Sequence, residues 1–361
     1  MIAKDELSFF CVPGWIRRRE VQFVLVALLV CVGCTDPADP NAPRTLTFGP
    51  YSLEPGAEVT DRCVSVSLHN EEPIYVNQVE LQTGPGFHHS NWFWVPEHQF
   101  AGEDGTWSCG DRYYTEAAAG LFGAVVFAQS TQAEHEIQAF PVGAATKIPP
   151  RSKLVAGLHL LNPSDEPLAP TISLILTPLP AAEVTTELHG FAFQNQSIEL
   201  PPHAKSRFTI ECDLTKGVGI NGMPFERPAP DFRFYHVLAH YHELGTGMTL
   251  EALRDGDGGS EMMFETRTRV GDGLAAVLDP PFEMTGRSKI RFACEYDNPR
   301  DVPVGWGVGD QEMCIVFAFT DSPMVWSGGA PFVEPPGPGT TNSGVIDFTH
   351  SCITIAVDGT H

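Results

Sequence analysis

Apolar and polar positions alternate along most of this chain. Val64-Ser65-Val66-Ser67-Leu68, Ile74-Tyr75-Val76, Leu154-Val155-Ala156 and Thr171-Ile172-Ser173-Leu174-Ile175-Leu176 are short β-rich runs set between turn residues. Pro178-Leu179-Pro180 then interrupts the pattern. A second β-rich stretch follows, with Arg207-Phe208-Thr209-Ile210, Phe234 to His242, Lys289-Ile290-Arg291-Phe292 and Cys314-Ile315-Val316-Phe317-Ala318-Phe319. Only Thr115 to Gly120 and Leu250 to Arg254 hint at helix, and Gly328-Gly329-Ala330-Pro331 and Pro335-Pro336-Gly337-Pro338-Gly339 read as loop. No sequence repeat is present, yet the two halves share a rhythm. The pattern predicts an all-β chain of two tandem antiparallel β-sandwich domains, 46–180 and 181–355.

Composition agrees with many short strands. The 361 residues include 34 glycines and 31 prolines, spread along the chain, and 42% hydrophobic residues, enough to bury a core in each of two domains. Lys+Arg 22 against Asp+Glu 45 leaves a net charge of -23. A surface of that sign repels nucleic acid and anionic lipid, so neither is an expected partner. A solvated acidic surface accounts for most of the charge, and attraction of cations, copper included, is the other reading.

The N-terminus reads as a signal peptide over residues 1–33. Arg17, Arg18 and Arg19 precede an apolar run from Val21 to Val32, too short for a stable membrane span. The run ends at Val32-Gly33-Cys34, which resembles a bacterial lipobox in which Cys34 carries the lipid anchor; Cys31 stands where Leu is usual, and a plain secretory signal is the alternative. Residues 34–45, rich in Asp, Pro and Ala, then form a tether. Localisation is thus expected to be exported, in a bacterial cell envelope, with membrane contact only through Cys34. Six further cysteines, Cys63, Cys109, Cys212, Cys294, Cys314 and Cys352, suggest three disulfides, since no CxxC supports a zinc site.

Histidines carry the chemistry. His88-His89 follows Gly84-Pro85-Gly86-Phe87. Neighbouring strand residues point to opposite faces, so this pair can share a metal only at a bend or bulge. His159 is a lone histidine in the apolar run Leu154 to Leu161. His240-Tyr241-His242 ends a strand, and a period of two puts His240 and His242 on one face, close enough to chelate one ion. His236 shares that face unless a bulge intervenes, as core or supporting residue rather than ligand. Met313, in Glu312-Met313-Cys314, offers a soft thioether that suits Cu(I) and is poor for zinc, calcium or magnesium.

The order His-His, then a lone His followed by Asn162-Pro163, then His-x-His, then Glu312-Met313-Cys314 resembles the type II ascorbate-dependent copper monooxygenases, the family of dopamine β-hydroxylase and peptidylglycine α-hydroxylating monooxygenase. The resemblance spans roughly Thr45 to Thr320 and includes Cys63-Val64-Ser65-Val66 and Phe292-Ala293-Cys294. It implies two jelly-roll-like sandwiches, each holding one copper, facing each other across a solvent-filled cleft. His88, His89 and His159 would hold the electron-delivering copper. His240, His242 and Met313 would hold the O2-binding copper and form the catalytic set. The implied reaction hydroxylates an aliphatic C–H bond with O2, using two copper ions and ascorbate or a similar reductant. The resemblance also implies the pairings Cys63–Cys109, Cys294–Cys314 and Cys212–Cys352.

The chain departs from the family where peptide-hydroxylating members hold the substrate carboxylate. Val237, Leu238 and Ala239 precede the His-x-His, and Ile315, Val316 and Phe317 follow Met313-Cys314. A small neutral or apolar substrate fits these positions better than a C-terminal glycine peptide. Gly157 stands where other members carry a polar side chain. Two other functions compete: a non-catalytic copper-binding envelope lipoprotein for storage, delivery or sensing, and a sandwich for adhesion or assembly.

Overall fold

The structure, a computed structural model, describes residues 41–129, 133–219, 221–256, 258–270, 274–307, 309–330 and 339–359. The signal peptide, Cys34, most of the tether and the stretch 331–338 lie outside the described residues. The tether is shorter than expected at its far end, because Arg44 and Thr45 already belong to the first strand, Arg44–Phe48.

Among the described residues the chain is mostly β and forms the expected sandwiches. In the first half a five-stranded sheet runs in the order Gly105–Trp107, Glu58–Ser67, Ser152–Leu161, Phe87–Pro96, Ala124–Ala128. It packs over Arg44–Phe48, Ile172–Pro178 and Ile74–Thr83 through Val64, Trp92, Leu158, Leu81, Leu174 and their neighbours. In the second half Ala204–Asp213, Arg287–Asn298 and Gly245–Arg254 form the middle of a six-stranded sheet. It faces Thr186–Asn195, Ile315–Thr320 and Arg233–His240 across a core that includes Phe191, Phe208, Phe234, Leu250 and Phe292. Strands such as Ile172–Pro178 and Ala204–Asp213 bury alternate residues, one apolar face against a partner sheet, whereas Phe87–Pro96, Ser152–Leu161 and Arg233–His240 are buried on both faces.

The break at Pro178–Pro180 separates the two cores, but the halves are not independent beads. Thr186–Leu188 pairs in parallel with Ala144–Thr146, so one sheet passes from the first half into the second. Phe140, Ala144, Leu188, Tyr235 and Phe319 make a small buried cluster at that seam. The whole of Pro40–His361 is one compact unit.

Two expectations from the pattern need correction. Leu250–Arg254 is not helical but the end of the strand Gly245–Arg254, where Met248, Leu250 and Ala252 alternate into the core and the backbone is laddered on both sides. Gly328-Gly329-Ala330 is not loop but the end of the strand Met324–Ala330. There the backbone of other strands comes so close that a Cβ on Gly328 or Gly329 would fall 2.2 Å from the Ile353 carbonyl or 1.8 Å from that of Gln194. The short helix is present at Glu116–Phe122, with Thr115 Oγ1 accepting from the Ala118 N–H as its cap.

All three cysteine pairs implied by the resemblance are bonded: Cys63–Cys109, Cys212–Cys352 and Cys294–Cys314. Three disulfides fit an extracellular or periplasmic protein. Among the described residues no helix is long and apolar enough to cross a membrane.

Candidate metal centre

His88 and His89 lie at the start of Phe87–Pro96, and His159 near the end of the adjacent Ser152–Leu161. The pairing passes from Phe87–Leu160 to His89–His159, so the first strand spends one extra residue, His88, in a bulge. This bulge is the local device the adjacent histidines need. It turns both rings toward His159, with ring centres 5.3 Å apart for His88–His89, 4.3 Å for His88–His159 and 5.1 Å for His89–His159. One ring nitrogen from each of the three lies within 4.8 Å of the others.

His240 closes the strand Arg233–His240, and His242 sits just beyond it, in a turn closed by the Gly245 N–H on the His242 carbonyl. The strand therefore stops two residues short of its expected end. The two rings still lie on one side, 5.3 Å apart. His236 shares the face of His240 and is 1% exposed, but it stacks edge-on between Phe140 and Phe319 at the seam, away from the other five rings. It is a core residue.

Met313 lies between the Glu312 bridge and the strand Ile315–Thr320. The paired register stops at His240–Ile315, two residues short of Met313, but the segment that carries Met313 touches His242 through Gln311 and Glu312. Its segment is pinned at every residue. The Gln311 side chain accepts from the Gly305 N–H, Glu312 accepts from the N–H groups of His242 (2.9 Å) and Leu244 (2.7 Å), the Met313 carbonyl accepts from the Tyr296 hydroxyl (2.6 Å), and Cys314 is bonded to Cys294. Burial pushes the Glu312 carboxyl up to about 7, against the opposing pull of those N–H groups.

Acceptors around the rings decide which nitrogens face inward. His159 Nε2–H donates to Glu58 Oε1 at 2.8 Å, leaving Nδ1 buried with no hydrogen-bond partner. His242 Nδ1–H donates to the Gln311 carbonyl at 2.8 Å, leaving Nε2 likewise unpartnered, and His89 Nε2 is a third such atom. His240 Nδ1–H donates to the Gln129 carbonyl, a backbone group of the first half. Gln129 itself is fixed by Asn91 Oδ1 on its N–H and by the Ser90 N–H on its side-chain oxygen. Burial lowers the basicity of these imidazoles: His88 falls to about 3, His89 falls well below its ordinary value, and His159 and His242 are lowered too. At neutral pH such rings are uncharged and present lone pairs, the form that binds metal. Buried nitrogens without partners are costly unless something fills them, and an acceptor paired to the opposite ring nitrogen is the usual companion of a metal-binding histidine. The donor set therefore fits a first-row metal ion.

The two histidine sets, expected on opposite sides of an open cleft, are not apart in this structure. His89 is 5.5 Å from His240 and 6.2 Å from His242, and His88 is 6.1 Å from His242. Gly157, expected to leave a polar position blank, is covered instead. Tyr114 donates no bond there but accepts one from the Gly157 N–H at 3.2 Å, and its ring would lie 3.2 Å from any added Cβ.

No protein-family signature matches the chain, and no curated protein matches it. Solved structures with some likeness include viral proteins and a putative secreted protein from Parabacteroides distasonis. The major capsid protein P2 of bacteriophage PM2 is 8% identical over 77% of this chain and 97% of that one, with a TM-score of 0.28. The Broad Bean Stain Virus structure is 10% identical over 83% and 95%, with a TM-score of 0.34. Likeness at that level says nothing of function, which rests on the site itself.

Sequence reasoning missed Glu58, Gln129, the Gln311 carbonyl and Tyr114. Glu58 stands in an ordinary strand among 45 acidic residues, and a main-chain carbonyl has no sequence signature. Glu312 was visible only as part of the Glu-Met-Cys triplet.

Proposed function

We propose that this protein is a copper-dependent monooxygenase that hydroxylates an aliphatic C–H bond with O2 and ascorbate or a similar reductant. The observation that carries the reading is the convergence of five imidazoles, with buried unpartnered nitrogens on His89, His159 and His242. His88, His89 and His159 would hold one copper, and His240, His242 and Met313 the other. Bound copper supplies one-electron redox chemistry and a place for O2. The chain's own groups do the rest. Glu58, Gln129 and Gln311 fix the ring tautomers. Ile315 pairs with His240 and Phe317 with Leu238, so an apolar strip runs along the face that His240 shares. That strip favours a small neutral or apolar substrate. A lipid on Cys34, freed by removal of a signal peptide over residues 1–33, would tether the protein to a bacterial envelope.

The test is metal analysis after copper loading, followed by ascorbate-dependent O2 uptake. Bound copper with uptake that both His88→Ala and His242→Ala abolish is the expected result. Bound copper without uptake, across reductants, favours the non-catalytic copper-binding lipoprotein. Failure to retain copper overturns both readings.

A further inference from the structure

The two histidine sets sit closer together than two independent mononuclear sites would require. A ring nitrogen lies about 2 Å from a bound first-row ion, so the ring centre lies roughly 3 Å from it. Two rings on one ion then have centres roughly 4 to 6.5 Å apart, from a right-angled to a linear arrangement. The distances within the sets, 4.3 to 5.3 Å, meet that condition. So do the distances between the sets: 5.5 Å for His89–His240, 6.1 Å for His88–His242 and 6.2 Å for His89–His242. The gap between the sets is wider than the gaps within them but still inside the span that rings around a single ion can cover, while among the described residues only His88, His89 and His159 bring one nitrogen each within 4.8 Å of the others.

The surrounding contacts hold the sets in this relation. The ring of His240 is aimed by the Gln129 carbonyl, which belongs to the other half. Glu58, which orients His159, lies against Gly309 of the second half, so a Cβ there would be 3.2 Å from Glu58 Oε1. The sheet that passes through Ala144–Thr146 and Thr186–Leu188 ties the halves together behind the site.

We infer that the five imidazoles form one shared centre across the seam, so that the first metal ion to enter is held by ligands from both halves and clasps the sandwiches together. This rests on the copper reading above but departs from the separated arrangement that the family resemblance implies. Occupancy of one ligand set then changes the other, and two ions, when both are present, sense each other.

The experiment uses Cu(I) competition against a chromophoric chelator and Cu(II) electron paramagnetic resonance on the whole mature protein. In the competition, the His240→Ala/His242→Ala double variant is expected to bind its first equivalent at least tenfold more weakly than the wild type, and so is His88→Ala/His89→Ala. The wild type needs no variant to fold: loaded with two equivalents of Cu(II), it is expected to show interacting spins, with integrated intensity well below two isolated ions. Two full, unperturbed spins, or an unchanged first affinity in a folded double variant, would overturn the shared centre while leaving the copper reading in place. A wild type that retains no copper would overturn both.

Discussion

Replacing Glu58 by alanine removes the acceptor that holds His159 in the tautomer with Nδ1 facing the cluster. The contact is short, 2.8 Å, and the His159 side chain is only 6% exposed, but Glu58 is 42% exposed. Loss of a group that orients a metal-binding histidine costs 10- to 100-fold in affinity as a rule, about 1.4 to 2.7 kcal/mol. Water reaches the Glu58 carboxylate and can take its place, which puts the expected loss near the lower bound, about tenfold or ~1.4 kcal/mol. Without metal the pair is a half-solvated contact worth under about 1 kcal/mol, so the unfolding midpoint of the apoprotein should barely move. Glu58→Gln keeps an acceptor oxygen and should retain most of the affinity. The assay is Cu(I) competition at fixed pH on wild type and both variants, with urea unfolding of each as the control. Equal affinity for Glu58→Ala and wild type would refute the reasoning, because it would mean that His159 does not need its tautomer fixed or does not bind the metal.

Acid should destabilise the apoprotein in a defined window. Burial among Phe140 and Phe319 holds His236 at about 4, below its ordinary 6.5. The unfolded chain therefore gains a proton that the folded one refuses. This contribution is whole above pH 6.5, is lost as the pH falls toward 4, and amounts to roughly 3 kcal/mol. His236→Leu should make the urea midpoint fall less steeply with acid over that range, the buried His88, His89, His159 and His242 keeping the rest of the slope; an unchanged profile would count against it. Gly157→Ala should lower stability by about 1–3 kcal/mol, because the Tyr114 ring, 3.2 Å from the new methyl, has to move. Chemical denaturation reads this directly, and a neutral result would mean that Tyr114 is free to shift. Replacing Cys294 and Cys314 by alanine opens a loop of sequence separation 20 and should cost about 3 kcal/mol. It should also weaken copper binding, since Met313 and the Gln311 carbonyl lose their anchor; calorimetry and the same competition assay report the two effects.

The parts of the molecule that were legible in the sequence are those with a periodic or chemical signature. Alternation gave the strands, and the Pro178–Pro180 break marked where one core gives way to the next. The His-x-His spacing put His240 and His242 on one side. For His88-His89 the sequence posed the right geometric condition, a bulge, and the bulge falls at His88 itself. Leu250–Arg254 misled because Leu, Glu and Ala are good helix formers, and pairing on both edges of the strand overrode that preference. The proximity of the two histidine sets could not be read at all. It depends on the parallel pairing of Ala144–Thr146 with Thr186–Leu188 and on apolar packing around Phe140 and Phe319, contacts between residues far apart in the chain.

Two of the imidazoles, His240 and His242, are aimed by main-chain oxygens, at Gln129 and Gln311. Every amino acid carries that oxygen. A side-chain scan across position 311 would therefore pass silently over a group on which the centre depends, and only an insertion, a deletion or a change in the path of the backbone would reveal it. Related chains could drift freely in letter at such a place while keeping its loop length fixed, so that spacing rather than identity becomes the mark to look for.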